Sequence, residues 1–241
     1  MNSIKTTTIL ILSIFFLSGS PLFAQEPTAD IFLPDSIFDF GFFATDARVV
    51  HTYPIINEGD DTLRIIKVKP GCGCTAAPLD KSNLGPGDTA RVDVFFDSKR
   101  LTGLVKKGVT ILSNDPDEPL REVSFISITG KKHPYVHPKP AVINFGRMAA
   151  EKVDRTFTVE LTNVTDAPVE LEIVDYSSDY IEVELAKDSL DVGESGDFLV
   201  TLKRIPNDPR LYNFSATLSV NIDDIRIHLT IPAVGRINRV N

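Results

Sequence analysis

The sequence predicts an all-β protein, two tandem immunoglobulin-like β-sandwich domains behind a signal peptide. Three observations predict it. Apolar residues recur with period two, the spacing that puts alternate side chains on one face of a strand. Clusters of Gly, Pro, Asn and Asp interrupt these runs about every ten residues. And a unit of roughly 100 residues is written twice, each copy within the usual size of a single domain.

The 241 residues carry 25 basic and 33 acidic side chains, a net charge of −8, with two Cys and no Trp. An acidic chain without a basic run repels a phosphate backbone, which excludes nucleic acid as a partner. Two cysteines cannot staple a small scaffold, so the fold must rest on apolar cores.

Residues 1–24 read as a targeting segment. Lys5 precedes the apolar run Ile9–Leu17, and small residues lead to Ala24. The run is too short to span a bilayer, which needs about 20 residues. It is a secretory signal peptide cleaved near Ala24. No cysteine follows the cleavage point closely enough to take a lipid, and no later segment is long and apolar enough to span a bilayer. The expected destination is the periplasm, with secretion as the other outcome, and there the cysteines meet an oxidising environment.

The repeat occupies the remainder. Ile37–Gly41 returns as Val142–Gly146, His51–Asn57 as Phe157–Asn163, Leu84–Gly87 as Leu190–Gly193, and Thr110–Asn114 as Thr217–Asn221. The offsets of 105, 106, 106 and 107 are almost constant. Two copies are too few for a solenoid, so each must close its own core. The domains fall at residues 25–130 and 141–241, joined by residues 131–140, whose three prolines favour an extended spacer.

Within the copies, Val92, Val94 and Phe96 alternate with Arg91, Asp93 and Phe95, and Phe157, Val159 and Leu161 alternate with Thr158 and Glu160. Further strands are expected at 62–68, 105–112, 123–129, 169–174, 198–202, 215–221 and 226–232. Turns fall at 57–60, 85–88, 114–119 and 193–196. Short strands without a helical period indicate an immunoglobulin-like sandwich, but the antibody Cys…Trp…Cys set is absent.

The first copy carries Phe40-Gly41, Asn57-Glu-Gly59, Leu63-Arg-Ile65, Gly71-Cys-Gly-Cys-Thr75, Pro86-Gly87 and Ser113-Asn-Asp-Pro116 in order. This resembles the bacterial domain of unknown function 1573 family, related to the Hydin-like and major-sperm-protein-like immunoglobulin folds. The second copy keeps Phe145-Gly146, Asn163 and Gly193 but has Tyr176–Asp179 where Gly71–Cys74 would fall. It looks like a diverged Hydin-like copy. The resemblance implies export, a β-sandwich and protein–protein contact, and no known reaction.

Cys72 and Cys74 are the sharpest candidate site, with Gly71 and Gly73 relieving the backbone around them. Three readings stay open. The pair forms a reducible disulfide with a redox role; or two thiolates bind Cu(I), the one cofactor the residues suggest; or the cysteines are structural residues of a tight loop. Zinc would need two further ligands. His51 aligns with inward Phe157 and reads as a hydrogen-bonded, half-buried residue. His133 and His137 read as surface linker residues, because the prolines beside them forbid the helix that would make them ligands. His228 is expected to face outward. Asp115, Asp117 and Glu118 form an acidic hairpin tip without the ordered spacing of a Ca²⁺ loop. Four Asp-Ser/Thr-apolar triplets, at Ser36, Thr62, Thr89 and Ser189, resemble the O-glycosylation signal of exported Bacteroidota proteins; the same dipeptides also suit turns entering strands. No nucleophile elbow, zinc helix or phosphate loop occurs, and no enzyme is expected.

Three functions follow. The first is a non-catalytic interaction or structural module of the bacterial cell envelope, binding or bracing other envelope proteins through unpaired strand edges. The second is a thiol-redox or Cu(I)-handling protein using Cys72 and Cys74. The third is a carbohydrate or surface-ligand binder, against which the absence of Trp argues.

Overall fold

The computed structural model describes residues 26–130, 132–148, 153–208 and 212–236. The expected leader and its cleavage point lie outside these residues. Eighteen strands and no helix make up the described chain.

The first half contributes β1 (Ile31–Phe32), β2 (Ile37–Ala44), β3 (Arg48–Asn57), β4 (Leu63–Pro70), β5 (Thr75–Ala76), β6 (Asn83–Leu84), β7 (Thr89–Asp97), β8 (Gly103–Ser113) and β9 (Leu120–Gly130). The second half repeats them in order. They are β10 (Val136–Lys139), β11 (Ile143–Arg147), β12 (Arg155–Asn163), β13 (Val169–Tyr176), β14 (Ile181–Leu185), β15 (Ser189–Leu190), β16 (Ser195–Leu202), β17 (Asn213–Ile222) and β18 (Ile225–Arg236). One four-stranded sheet runs β1-β3-β7-β5, and its counterpart runs β10-β12-β16-β14. Each packs on one half of a shared ten-stranded sheet.

Period-two burial builds two separate cores. The first gathers Phe40, Tyr53, Ile55, Val92, Phe96 and Phe125. The second gathers Phe145, Val159, Leu161, Phe198, Phe214 and Leu218. Tyr53 is buried with its hydroxyl donating to the Ser124 carbonyl at 2.6 Å, so this large ring leaves no polar orphan.

The repeated signature residues do the same work twice. Asn57 is fully buried; its Nδ2 donates to the carbonyls of Asp61 and Leu84, and its Oδ1 accepts from Gly59 N–H. Asn163 matches it, donating to Ala167 and Leu190 and accepting from Thr165 N–H. Each amide thereby ties two turns, pairing backbone groups that would otherwise be left without partners. Gly41 and Gly146 take positive φ, +58° and +67°, at matching register shifts in β2 and β11. Asp39 and Asn144 each accept a hydrogen bond from the glycine N–H two residues on.

The two sandwiches share a sheet. The order β15-β13-β17-β18-β2-β9-β8-β4-β6 crosses from the second copy to the first where β18 pairs parallel with β2, Leu229 opposite Phe42. Beside this junction the Val50 N–H of β3 donates to Ser215 Oγ at 2.8 Å, and Thr230 Oγ1 donates to the Phe40 carbonyl at 2.6 Å. Both bonds are buried, and each such bond contributes about 1 kcal/mol. The open flank of β2 and β3 is thus closed by the second sandwich.

Several expectations change here. Within the expected spacer at 131–140, Val136–Lys139 is the edge strand β10 of the second sandwich, and Val136 lies in its core. His133 is 1 % exposed, with Nδ1 accepting from the N–H groups of Tyr135 and Val136. Pro138 lies within this extended strand, and Pro134 and Pro140 lie in bends on either side of it. His228 is half-buried rather than free in water, with its Nδ1 2.7 Å from the Asp39 carbonyl across the junction. Phe95 and Val50, outward by alternation, are buried because the second copy covers that side.

Candidate interaction edge and disulfide loop

Among the described residues the sheet orders end on β1, β5, β6, β10, β14 and β15, and five of these six are blunted: β1, β5, β6 and β15 are only two residues long and β10 carries a proline. The flank of β3 beyond the two residues paired with β1 is covered as described. The β4 edge carries a register shift between Ile65 and Lys67, and the β13 edge one between Ile173 and Asp175. β10 contains Pro138, and β5 is two residues long and runs into Pro78. Bulges, prolines and short strands are devices that discourage a further strand.

β14 lacks them. It ends its sheet, pairs with β16 in unbroken register from Ile181 to Leu185, and contains no proline. Ala186 N–H donates to the Asp197 carbonyl. By alternation Glu184 and Glu182 therefore spend their backbone groups on β16, and Val183 and Leu185 turn theirs outward. The outward N–H of Ile181 is already taken by the Ser177 carbonyl at 3.0 Å. On the side chains, Glu182 lies 3.8 Å from Lys203, and both glutamates are exposed. β14 is a five-residue template with an acidic outer surface.

Cys72 and Cys74 are joined in a disulfide in the loop between β4 and β5. Gly71 N–H donates to the Gly108 carbonyl, and the Cys74 carbonyl accepts from Asp97 N–H, so the loop is pinned to β8 and β7. Both cysteines are half-buried; Cys74 packs against the first core. The buried Thr75 hydroxyl lies 3.3 Å from Cys72 Sγ and 4.0 Å from Cys74 Sγ. Joined sulfurs are not thiolate ligands. Among the described residues no group of three or more His, Cys, Asp or Glu is placed to hold a metal ion.

The remaining candidates are placed as follows. His51 stacks on Phe38 at 3.7 Å and meets Asp175 Oδ2 at 2.9 Å, which binds the two copies. Asp115 is buried; Oδ2 accepts from Ile31 N–H and Oδ1 from the N–H groups of Asp117 and Glu118. It organises a turn. Ser36, Thr62 and Thr89 precede or begin β2, β4 and β7, at the end of the first sandwich opposite the disulfide; Ser189 lies at the corresponding end of the second. Thr62, Thr89 and Ser189 are exposed and Ser36 is half-buried.

A polar groove of about 450 Å³ lies between the copies, lined among others by His51, Arg91, Asp93, Asp175 and Tyr180. Burial pushes the Asp93 carboxyl above its ordinary value, against the hydrogen bond from Thr52. Arg91 reaches Asp179 at 2.5 Å across it. The β13–β14 loop that replaces the cysteine loop is therefore part of the junction, which the sequence did not signal. No helix among the described residues is long and apolar enough to cross a membrane.

Residues 32–128 match the model of a family described as protein of unknown function (DUF1573). No curated protein matches the sequence. Among solved structures, a protein of unknown function from Porphyromonas gingivalis is 10 % identical, with a TM-score of 0.33 over 85 % of this chain and 99 % of that one. The tandem Ig repeats of Dlar are 10 % identical, TM-score 0.34, over 88 % and 100 %. The YadV chaperone is 9 % identical, TM-score 0.34, over 84 % and 99 %. At these values the likenesses carry no argument about this chain.

Proposed function

We propose that this protein, whose residues 32–128 match the model of a family of unknown function (DUF1573) within an all-β, immunoglobulin-like chain, is an exported, non-catalytic interaction module of the cell envelope. It acts from the periplasm, and it binds other envelope proteins by accepting a strand at β14. The unbroken register of β14, beside five blunted edges, carries this reading. Main-chain pairing supplies affinity in such strand addition, and flanking side chains supply selection. Glu182 and Glu184 select an extended partner segment bearing Lys or Arg opposite them.

Val183→Pro tests it. The Val183 N–H faces away from β16, so proline there leaves the existing ladder intact and removes a donor from the open edge. A partner that co-purifies with the native protein from envelope extracts should be lost with this variant, while its unfolding transition stays cooperative. Undiminished co-purification contradicts the assignment to β14.

The Cu(I) reading of Cys72 and Cys74 requires the reduced pair, and two sulfurs alone make a sparse site for a soft ion. The redox reading has its own support.

A further inference from the structure

The two copies provide an internal control on the disulfide. Both sandwiches cross between their sheets at the same point, from β4 to β5 and from β13 to β14. In the second copy the crossing needs no cysteine. Ser177 N–H donates to the Ser215 carbonyl at 3.0 Å, Ser215 N–H donates to Ser177 Oγ at 3.1 Å, and Tyr180 N–H closes onto the Ser177 carbonyl at 2.9 Å. Hydrogen bonds suffice for this connection. The bridge in the first copy closes a loop with one intervening residue, so it removes little entropy from the unfolded chain. A bridge that the fold does not require and that barely constrains the chain calls for another use.

Its surroundings suit chemistry. A Cβ built on Gly73 would meet nothing within 4 Å, so the tip of the loop is open to an approaching chain. Cys74 is the sulfur-bearing residue packed on the core. Cys72 is the closer of the two to the Thr75 hydroxyl, which is anchored at the start of β5. A hydroxyl at that point donates a hydrogen bond to a sulfur that gains negative charge.

We propose that Cys72–Cys74 is a thiol–disulfide exchange site for a dithiol of another exported protein. A thiolate of that protein attacks Cys72 Sγ, the Cys72–Cys74 bond breaks, and Cys74 leaves as thiolate and takes a proton. The partner's second thiolate then attacks its own sulfur in the mixed disulfide. Cys72 leaves with the electron pair, held by the Thr75 hydroxyl, and is protonated in turn. The partner dithiol is oxidised by two electrons to a disulfide, and the pair in this chain is reduced to two thiols. The reverse sequence reduces a partner disulfide. Thr75 is a positioning residue. This goes beyond strand addition at β14 and does not depend on it.

The mature chain equilibrated in glutathione buffers is the test, read by mass spectrometry after alkylation. The bridge should be substantially reduced where exchange-active disulfides such as that of protein disulfide isomerase are reduced. Cys74→Ser should accumulate a one-to-one glutathione adduct on Cys72. Thr75→Val should slow reduction by glutathione about tenfold, the effect of one hydrogen bond to a charged sulfur, and Thr75→Ser should restore the rate. A bridge that stays oxidised in those buffers overturns the proposal. An unchanged rate in Thr75→Val overturns the part given to Thr75.

Discussion

Gly41 and His228 meet backbone to backbone at the junction of the two sandwiches. A Cβ on Gly41 would fall 2.0 Å from the His228 carbonyl oxygen, and Gly41 also holds φ at +58°. Gly146, its counterpart in the second copy, has φ +67° and nothing within 4 Å of a Cβ. The same signature glycine therefore serves local geometry in one copy and geometry plus docking in the other.

That difference is measurable. Gly146→Ala should cost only the left-handed conformation, about 1–2 kcal/mol. Gly41→Ala must in addition separate β2 from β18, so it should cost more and make the 131–140 segment more open to protease. Urea unfolding of the two variants, with limited proteolysis, checks both. Equal costs would mean that the junction tolerates a side chain.

The buried asparagines should behave alike. Asn57→Ala and Asn163→Ala each strand turn carbonyls and N–H groups that the amide now pairs. Leaving buried groups unpaired costs about 1–3 kcal/mol. Chemical denaturation should place both variants in this range, with Asp in either position worse than Ala because it brings a buried charge.

His133 should make stability fall in acid. Its buried imidazole is held neutral, with the pKa pushed down to about 4 by burial and by His137 nearby. Below the ordinary value of 6.5 the unfolded chain takes up a proton that the folded chain refuses. Stability present above that pH is therefore lost as pH falls toward 4, by about 3 kcal/mol in all. His133→Asn retains an acceptor for Tyr135 and Val136 N–H and does not titrate. Denaturation between pH 7 and 4 should show a shallower slope for this variant than for the native chain.

Strand positions and the repeat were legible in the sequence, because period two and the returning Phe-Gly and Asn are local signals. The tight cysteine loop after β4 was legible as a loop from its glycines, while the sequence leaves the state of its two sulfurs open. The shared sheet was not legible. Its tightest approach is backbone to backbone at Gly41 and His228, and its covered side chains, Val50 and Phe95, stand at positions that alternation assigns to solvent. One signal was present: Val49-Val50 and Phe95-Phe96 are paired apolar residues that break the alternation, as strands buried on both faces do. The β14 edge was equally hidden, because an edge is defined by which neighbours a strand lacks, and neighbours come from topology.

Hydrogen exchange resolved to single amides tests most directly which edges are closed and which is open. The Val50 amide, bonded to Ser215, should exchange with the slow global rate, and the Val183 and Leu185 amides of β14 should exchange fast. Fast exchange at Val50 together with protection at Val183 and Leu185 in the isolated protein would contradict the account.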